Sequence, residues 1–89
     1  MSAIKHVNSA RSLGRIIRDR RKALGLTQAA AGNLVGVHQT TLSDVERGKS
    51  KVKIDTLMKI IAALQLELLV QPIQQQEDQW EKRWEDNGA

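Results

Sequence analysis

Three glycines, Gly25, Gly36 and Gly48, each follow a short segment whose apolar residues recur at helical spacing. Glycine adopts the left-handed backbone that closes a helix at little cost, so each such segment reads as a helix with its C-terminal cap. The chain is therefore predicted to fold as several short helices packed on one another. Leu13, Ile16, Ile17, Arg20, Arg21 and Leu24 make one stripe at i, i+3, i+4, i+7, i+8 and i+11, with arginine in its middle. Ser9 as N-cap and Gly25 as stop predict a first helix over 10–24. Thr27 caps a second, which Ala29, Ala30 and Ala31 favour and Gly36 ends. Its interior Gly32 costs about 1 kcal/mol relative to alanine and is read as a close-packing position against a neighbouring helix. A third helix over 39–47 turns Leu42 and Val45 inward. A fourth, over 54–64, has the widest apolar face: Ile54, Leu57, Met58, Ile60, Ile61 and Leu64.

After the fourth helix the pattern changes. Residues 66–73 are apolar, partly alternating and closed by Pro72, which reads as a short edge strand. One strand cannot satisfy its own backbone groups, and no other segment reads as its partner. The economical solution is the same segment of a second copy, pairing through Leu68, Leu69, Val70 and Gln71 about a two-fold axis. The expectation is thus an all-α fold of four or five helices with a C-terminal strand that pairs across a homodimer. The alternative is that residues 65–73 extend the fourth helix or lie as coil.

Composition removes whole classes of function. The 89 residues contain no Cys, no Phe and no Tyr, and only two His. Disulfides, a redox CxxC and cysteine-based zinc sites are excluded, and His6 and His38 are too far apart in sequence to suggest a metal cage. The stacking platforms of single-strand and RNA-binding sheets are missing too. No nucleophile and base cluster believably, and Asp44 and Glu46, two apart on a helix, do not share a face, so no enzyme is expected. No cofactor, metal or small-molecule substrate is implied. With no apolar run of membrane length and no apolar core in residues 1–12, a cytoplasmic, membrane-free chain is expected.

Charge is uneven. The net charge is +4, but residues 1–73 hold twelve basic and five acidic side chains, whereas 74–89 hold two and five. A basic body suggests a polyanionic partner, and an acidic tail suggests a solvated arm or a docking segment. The chain accordingly divides into a body over 1–73 and a tail over 74–89.

The second and third helices, joined by Gly36-Val37-His38, meet the requirements of a helix-turn-helix: a tight turn, then a helix with a small, hydrogen-bonding outer face of Gln39, Thr40, Thr41, Ser43 and Asp44. Gly25-Leu26-Thr27-Gln28, Val35-Gly36-Val37, Gln39-Thr40-Thr41-Leu42-Ser43 and Glu46-Arg47-Gly48, in that order, resemble the Xre/Cro family of phage and plasmid repressors over roughly residues 13–66. The resemblance implies a lambda-repressor-like bundle that binds a double-stranded operator. Gln39 can pair bidentately with adenine, worth about 1–3 kcal/mol of discrimination, and Thr40 and Ser43 can reach neighbouring base edges. His38, at the helix entrance, reads either as a contact to base or phosphate or as an N-cap. Thr41, Arg47, Lys49, Lys51 and Lys53 are read as phosphate contacts. From the family resemblance, Gln28 is expected to bond a phosphate and Arg21 to form a partly buried pair with Glu46. Leu34 departs from the family pattern, which places a polar residue there.

Residues 64–72, as helix, turn and short strand, look like the end of HipB-type antitoxins. That resemblance implies a dimer that represses its own operon and holds a HipA-like Ser/Thr kinase toxin; a stand-alone phage-type regulator is the competing reading. Trp80 and Trp84, at i and i+4 in the tail, are candidates for docking the toxin. The tail's alternatives are to fray or to fold back on its own dimer.

Overall fold

The structure is a computed structural model, and residues 4–49 and 51–73 are described. The described residues contain four helices: α1 (Ala10–Ala23), α2 (Gln28–Val35), α3 (Gln39–Glu46) and α4 (Ile54–Ala63). Trp80, Trp84 and the rest of the acidic tail lie outside the described residues.

Local chemistry closes most of the helix ends, although Lys53 makes no side-chain cap at the start of α4. Ser9 and Ser12 make a reciprocal capping box at the start of α1, at 3.0 Å and 3.2 Å. The Thr27 hydroxyl accepts from the Ala30 amide at 3.0 Å to start α2. α1 ends at Ala23, with the Leu26 amide donating to the Arg21 carbonyl and Gly25 to Lys22, the hydrogen bonds of a Schellman close. α4 closes the same way, but with Gln65 in the left-handed position at φ 59°. That turn overturns the reading in which residues 65–73 continue the helix.

The core is aliphatic. Ile17 of α1, Ala31 of α2, Leu42 and Val45 of α3, and Ile60 and Leu64 of α4 form one buried cluster, with Leu13, Leu26, Val35 and Leu57 packed on its margin. Ile17, Leu42, Ile60 and Leu64 are fully buried, each worth about 1.5–3 kcal/mol of apolar transfer. The expected apolar face of α4 is only partly used: Ile60, Ile61 and Leu64 are buried, while Ile54 and Met58 stand exposed. Arg20 joins α1 to the end of α4, its Nε donating to the Leu64 carbonyl at 2.9 Å.

Two close approaches fix α3. A Cβ added at Gly14 would collide with the carbonyl oxygens of Val45 and Glu46, so α1 and α3 meet backbone to backbone there. A Cβ at Gly32 would lie 2.5 Å from the Val37 carbonyl oxygen. Gly32 therefore makes room for the turn between α2 and α3, not for a neighbouring helix as its position suggested. The Val37 amide donates to the Gly32 carbonyl at 2.8 Å, locking the same turn.

Beyond Leu66, residues 67–73 contain no helix, and among the described residues they make no backbone hydrogen bond within the chain. Leu68, Leu69, Val70 and Ile73 are exposed. Among the described residues, no helix is long and apolar enough to cross a membrane.

Candidate nucleic-acid interface

α3 has only eight residues, too few to hold a helix alone, so its conformation depends on docking. Leu42, Val45 and Glu46 are its buried side, and Gln39 and Thr40 are exposed at its N-terminal end. Thr41, Ser43 and Asp44 are half-buried along the flank. His38 caps the helix: its Nδ1 accepts from the Thr40 amide at 3.1 Å. An Nδ1 that accepts leaves the proton on Nε2, so the exposed edge of the ring presents a donor. Capping and an outward contact are compatible at this residue.

Behind α3 lies a polar network. Arg21 and Glu46 meet in a bidentate pair, Nε to Oε2 at 2.6 Å and Nη2 to Oε1 at 2.9 Å, and both residues are buried. Arg21 Nη1 also donates to the Leu26 carbonyl at 2.8 Å, and Gln28 Nε2 donates to Glu46 Oε1 at 3.0 Å. Every buried side-chain polar atom among the described residues has a partner. Burial pushes the Glu46 carboxyl up, but the hydrogen bonds from Arg21 and Gln28 and the charges of Arg21 and Arg18 outweigh it and hold the group below its usual range. The hydrogen bond to Glu46 raises Arg21 against the opposing effect of burial. Both groups are thus charged at neutral pH, and the pair joins α1, the start of α2 and the end of α3.

The structure brings Gln28, Ser43 and Arg47 together around one open cleft, with Arg18 and Lys22 of α1 on its wall. Its size, about 410 Å³, leaves room for a phosphate group and several waters. Arg47 is exposed and pairs with Asp44 at 3.2 Å, a contact of little energetic weight at such exposure. Lys49, Lys51 and Lys53 are exposed in the segment leading to α4 and do not line the cleft. Gln28 spends one amide hydrogen on Glu46, and among the described residues its remaining hydrogen and oxygen have no hydrogen-bond partner. Leu34 stands exposed on α2, away from the core. Arg18 and Lys22 were not anticipated as site residues; their signal, a cation at regular spacing on α1, was overshadowed by the apolar stripe beside it.

Comparison with known proteins agrees with this geometry. A family model described as helix-turn-helix matches residues 17–70. The ImmF control region 10 kDa protein of Bacillus phage phi105 is 35% identical over 60 residues, covering 67% of each chain. Among solved structures, a HipB(S29A)–O2 20mer complex matches with a TM-score of 0.73 at 24% identity, over 80% of this chain and 99% of that one. The restriction-modification controller protein C.AhdI from Aeromonas hydrophila matches with a TM-score of 0.61 at 31% identity, over 65% of this chain and 88% of that one.

Proposed function

This chain belongs to the helix-turn-helix family of DNA-binding transcriptional regulators, and from that premise we propose that it is a homodimeric autorepressor of the HipB type. Two copies place their α3 helices in successive major grooves of a pseudo-palindromic operator, about 34 Å apart. The observation that carries the reading is the construction of α3: a polar, exposed N-terminal end held on a rigid, fully satisfied base. Gln39 reads adenine, Thr40 and Ser43 read adjoining base edges, and the Nε2–H of His38 donates at the groove entrance. Gln28, Thr41, Arg47, Lys49, Lys51 and Lys53 hold the phosphates. The dimer forms through the unpaired, apolar segment Leu68, Leu69, Val70 and Gln71.

The same dimer, in this reading, holds a HipA-like Ser/Thr kinase toxin, with Trp80 and Trp84 as the docking residues. Support comes from the likeness in fold to a chain of a HipA–HipB–O2–O3 complex, with a TM-score of 0.72 at 23% identity over 99% of that chain. A stand-alone phage-type regulator is the second reading, favoured by the 35% identity to the phage phi105 protein. Affinity purification of the full chain from its native host separates them. Recovery of a kinase at one-to-one stoichiometry with the chain is expected; recovery of the chain and its DNA alone favours the phage-type regulator. Sedimentation should give a dimer, and a monomer at concentrations well above operator affinity would defeat the strand-pairing proposal.

A further inference from the structure

Four cations of α1, Arg11, Arg15, Arg18 and Lys22, are exposed and fall at i, i+4, i+7 and i+11. At 3.6 residues per turn they lie within about 60° of one another, so they form a single ridge about 16 Å long. Two contacts place the ridge in the fold. At one end a Cβ on Gly48 would lie 2.7 Å from Arg11 Cα, so Arg11 sits against the turn that follows α3. At the other end Arg18 and Lys22 line the cleft shared with Gln28, Ser43 and Arg47. The ridge thus runs beside α3, from its trailing turn to its groove-facing side.

Asp19 is the one acidic side chain of α1, and Glu46 acts on Arg18 only through space. Among the described residues the salt bridges are Arg21 with Glu46 and Arg47 with Asp44, and neither involves a ridge residue. Like charges at i, i+4 cost a few tenths of a kcal/mol per pair, and Asp19, four residues after Arg15 and three before Lys22, offsets only part of that; a polyanion lying against the ridge would offset the rest.

We propose that the ridge is a second phosphate track: with α3 in the major groove, Arg11, Arg15, Arg18 and Lys22 follow the sugar–phosphate backbone beside the half-site and extend the contact past the base pairs that α3 reads. The inference rests on the DNA-binding reading above and reaches beyond the helix-turn-helix itself. Successive phosphates of one strand lie about twice as far apart along the backbone as their roughly 3.4 Å rise along the axis, so a ridge of about 16 Å matches about three of them. An acidic protein surface would satisfy the same charges, but the continuity of the ridge with Gln28, Ser43 and Arg47 favours the nucleic acid that those residues face.

The test uses the full chain, a duplex of random sequence about 30 base pairs long, and fluorescence anisotropy across a salt titration. Each phosphate contact contributes about 0.9 to the slope of log K against log salt. The triple variant Arg11→Gln/Arg15→Gln/Arg18→Gln should therefore flatten the slope by about 2.7, so that raising salt about fourfold costs it about 40-fold less affinity than the wild type loses. The triple Arg→Lys variant should keep the wild-type slope, and Lys59→Gln, exposed on α4, should leave it alone. Should the triple Gln variant fail to fold by circular dichroism, Arg15→Gln alone carries the test, with an expected flattening of about 0.9. An unchanged slope in a folded variant overturns the ridge as a phosphate track, and that is also the result if the ridge serves an acidic protein. A wild-type chain that binds the duplex without salt dependence defeats the DNA-binding reading itself.

Discussion

Replacing Glu46 with alanine should remove a large share of the protein's stability. The Glu46 carboxylate receives hydrogen bonds from Arg21 Nε at 2.6 Å, Arg21 Nη2 at 2.9 Å and Gln28 Nε2 at 3.0 Å, and its side chain is 2% exposed. In the variant, Arg21 keeps the Leu26 carbonyl at 2.8 Å and no counter-charge. Removing one member of a buried pair costs about 3–5 kcal/mol, chiefly because the other charge stays buried alone. Arg21 also borders the open cleft, which lets water reach the orphaned guanidinium and sets the expectation at the lower end, about 3 kcal/mol. A folded unit of this size has about 4–10 kcal/mol in total. At about 4–8 °C per kcal/mol, the melting temperature should fall by about 12–24 °C. Thermal and urea melts by circular dichroism measure both quantities. Replacing the pair together, as Arg21→Met/Glu46→Leu, leaves no orphaned charge, although the Leu26 carbonyl and Gln28 lose a partner, and should be more stable than Glu46→Ala. The pH dependence has a definite sign. Glu46 is held below its unfolded value, so its contribution is present above the ordinary glutamate range near pH 4.3 and is lost as pH falls through its folded value. Glu46→Gln should lack that portion of the acid loss. A Glu46→Ala variant that loses less than about 1 kcal/mol, with the double variant no better, would refute the reasoning.

Gln65 occupies a left-handed position at φ 59°, which costs a non-glycine residue about 1 kcal/mol or more. Gln65→Gly should therefore raise the melting temperature by several degrees, and a fall would show that the side chain supports the turn. Gly14→Ala ought to gain about 1 kcal/mol of helix propensity if space allowed, yet its Cβ would meet the Val45 and Glu46 carbonyl oxygens. A net loss above about 2 kcal/mol in a urea melt is expected, and a stabilised variant would contradict the close approach of α1 and α3. For DNA, Gln39→Ala should lower affinity for the operator by about 1–3 kcal/mol while sparing random duplex, whereas Lys49→Ala should weaken both; identical behaviour would refute the division between base and phosphate contacts.

The helices were legible because the chemistry that starts and ends them is local. Ser9, Thr27, Gly25 and Gly36 act on groups within five residues of themselves, and the sequence displays them directly. Boundaries slipped by one residue at Leu24, Arg47 and Leu64, each of which caps its helix instead of continuing it. What periodicity does not carry is the extent of the opposing surface. Ile54 and Met58 share a face with Ile60 and Leu64 in the pattern, but whether that face is covered depends on the size of the elements opposite. Gly32 shows the same limit: the need for closeness was visible, and the identity of the neighbour was not. Arg21 announced itself by interrupting an apolar stripe. Its partner lies 25 residues away in sequence, and only the family resemblance supplied it. Gly14 gave no local signal, since its reason is a backbone that arrives from α3.

These elements together explain how an eight-residue helix is held in one conformation and orientation. Isolated helices of fewer than about 12 residues are marginal in water, so α3 is helical because α1 and α2 hold it. Gly14 lets the α1 backbone approach the end of α3, and the bidentate Arg21–Glu46 pair pins that end where Gly32 and Val37 have set the turn at its start. Gln28 shares a carboxylate oxygen with Arg21, so the side chain at the entrance of α2 is oriented by the same pair that anchors α3. Holding the donors in place before contact reduces the ordering cost that binding would otherwise incur. The buried charges therefore contribute little as a net source of stability, since a well-packed apolar pair could replace them. Their consequence lies in geometry: Glu46→Ala should misplace Gln28 and α3 together, and in any variant still folded below its melting point, operator affinity should fall by more than the removal of Gln28 alone would cause.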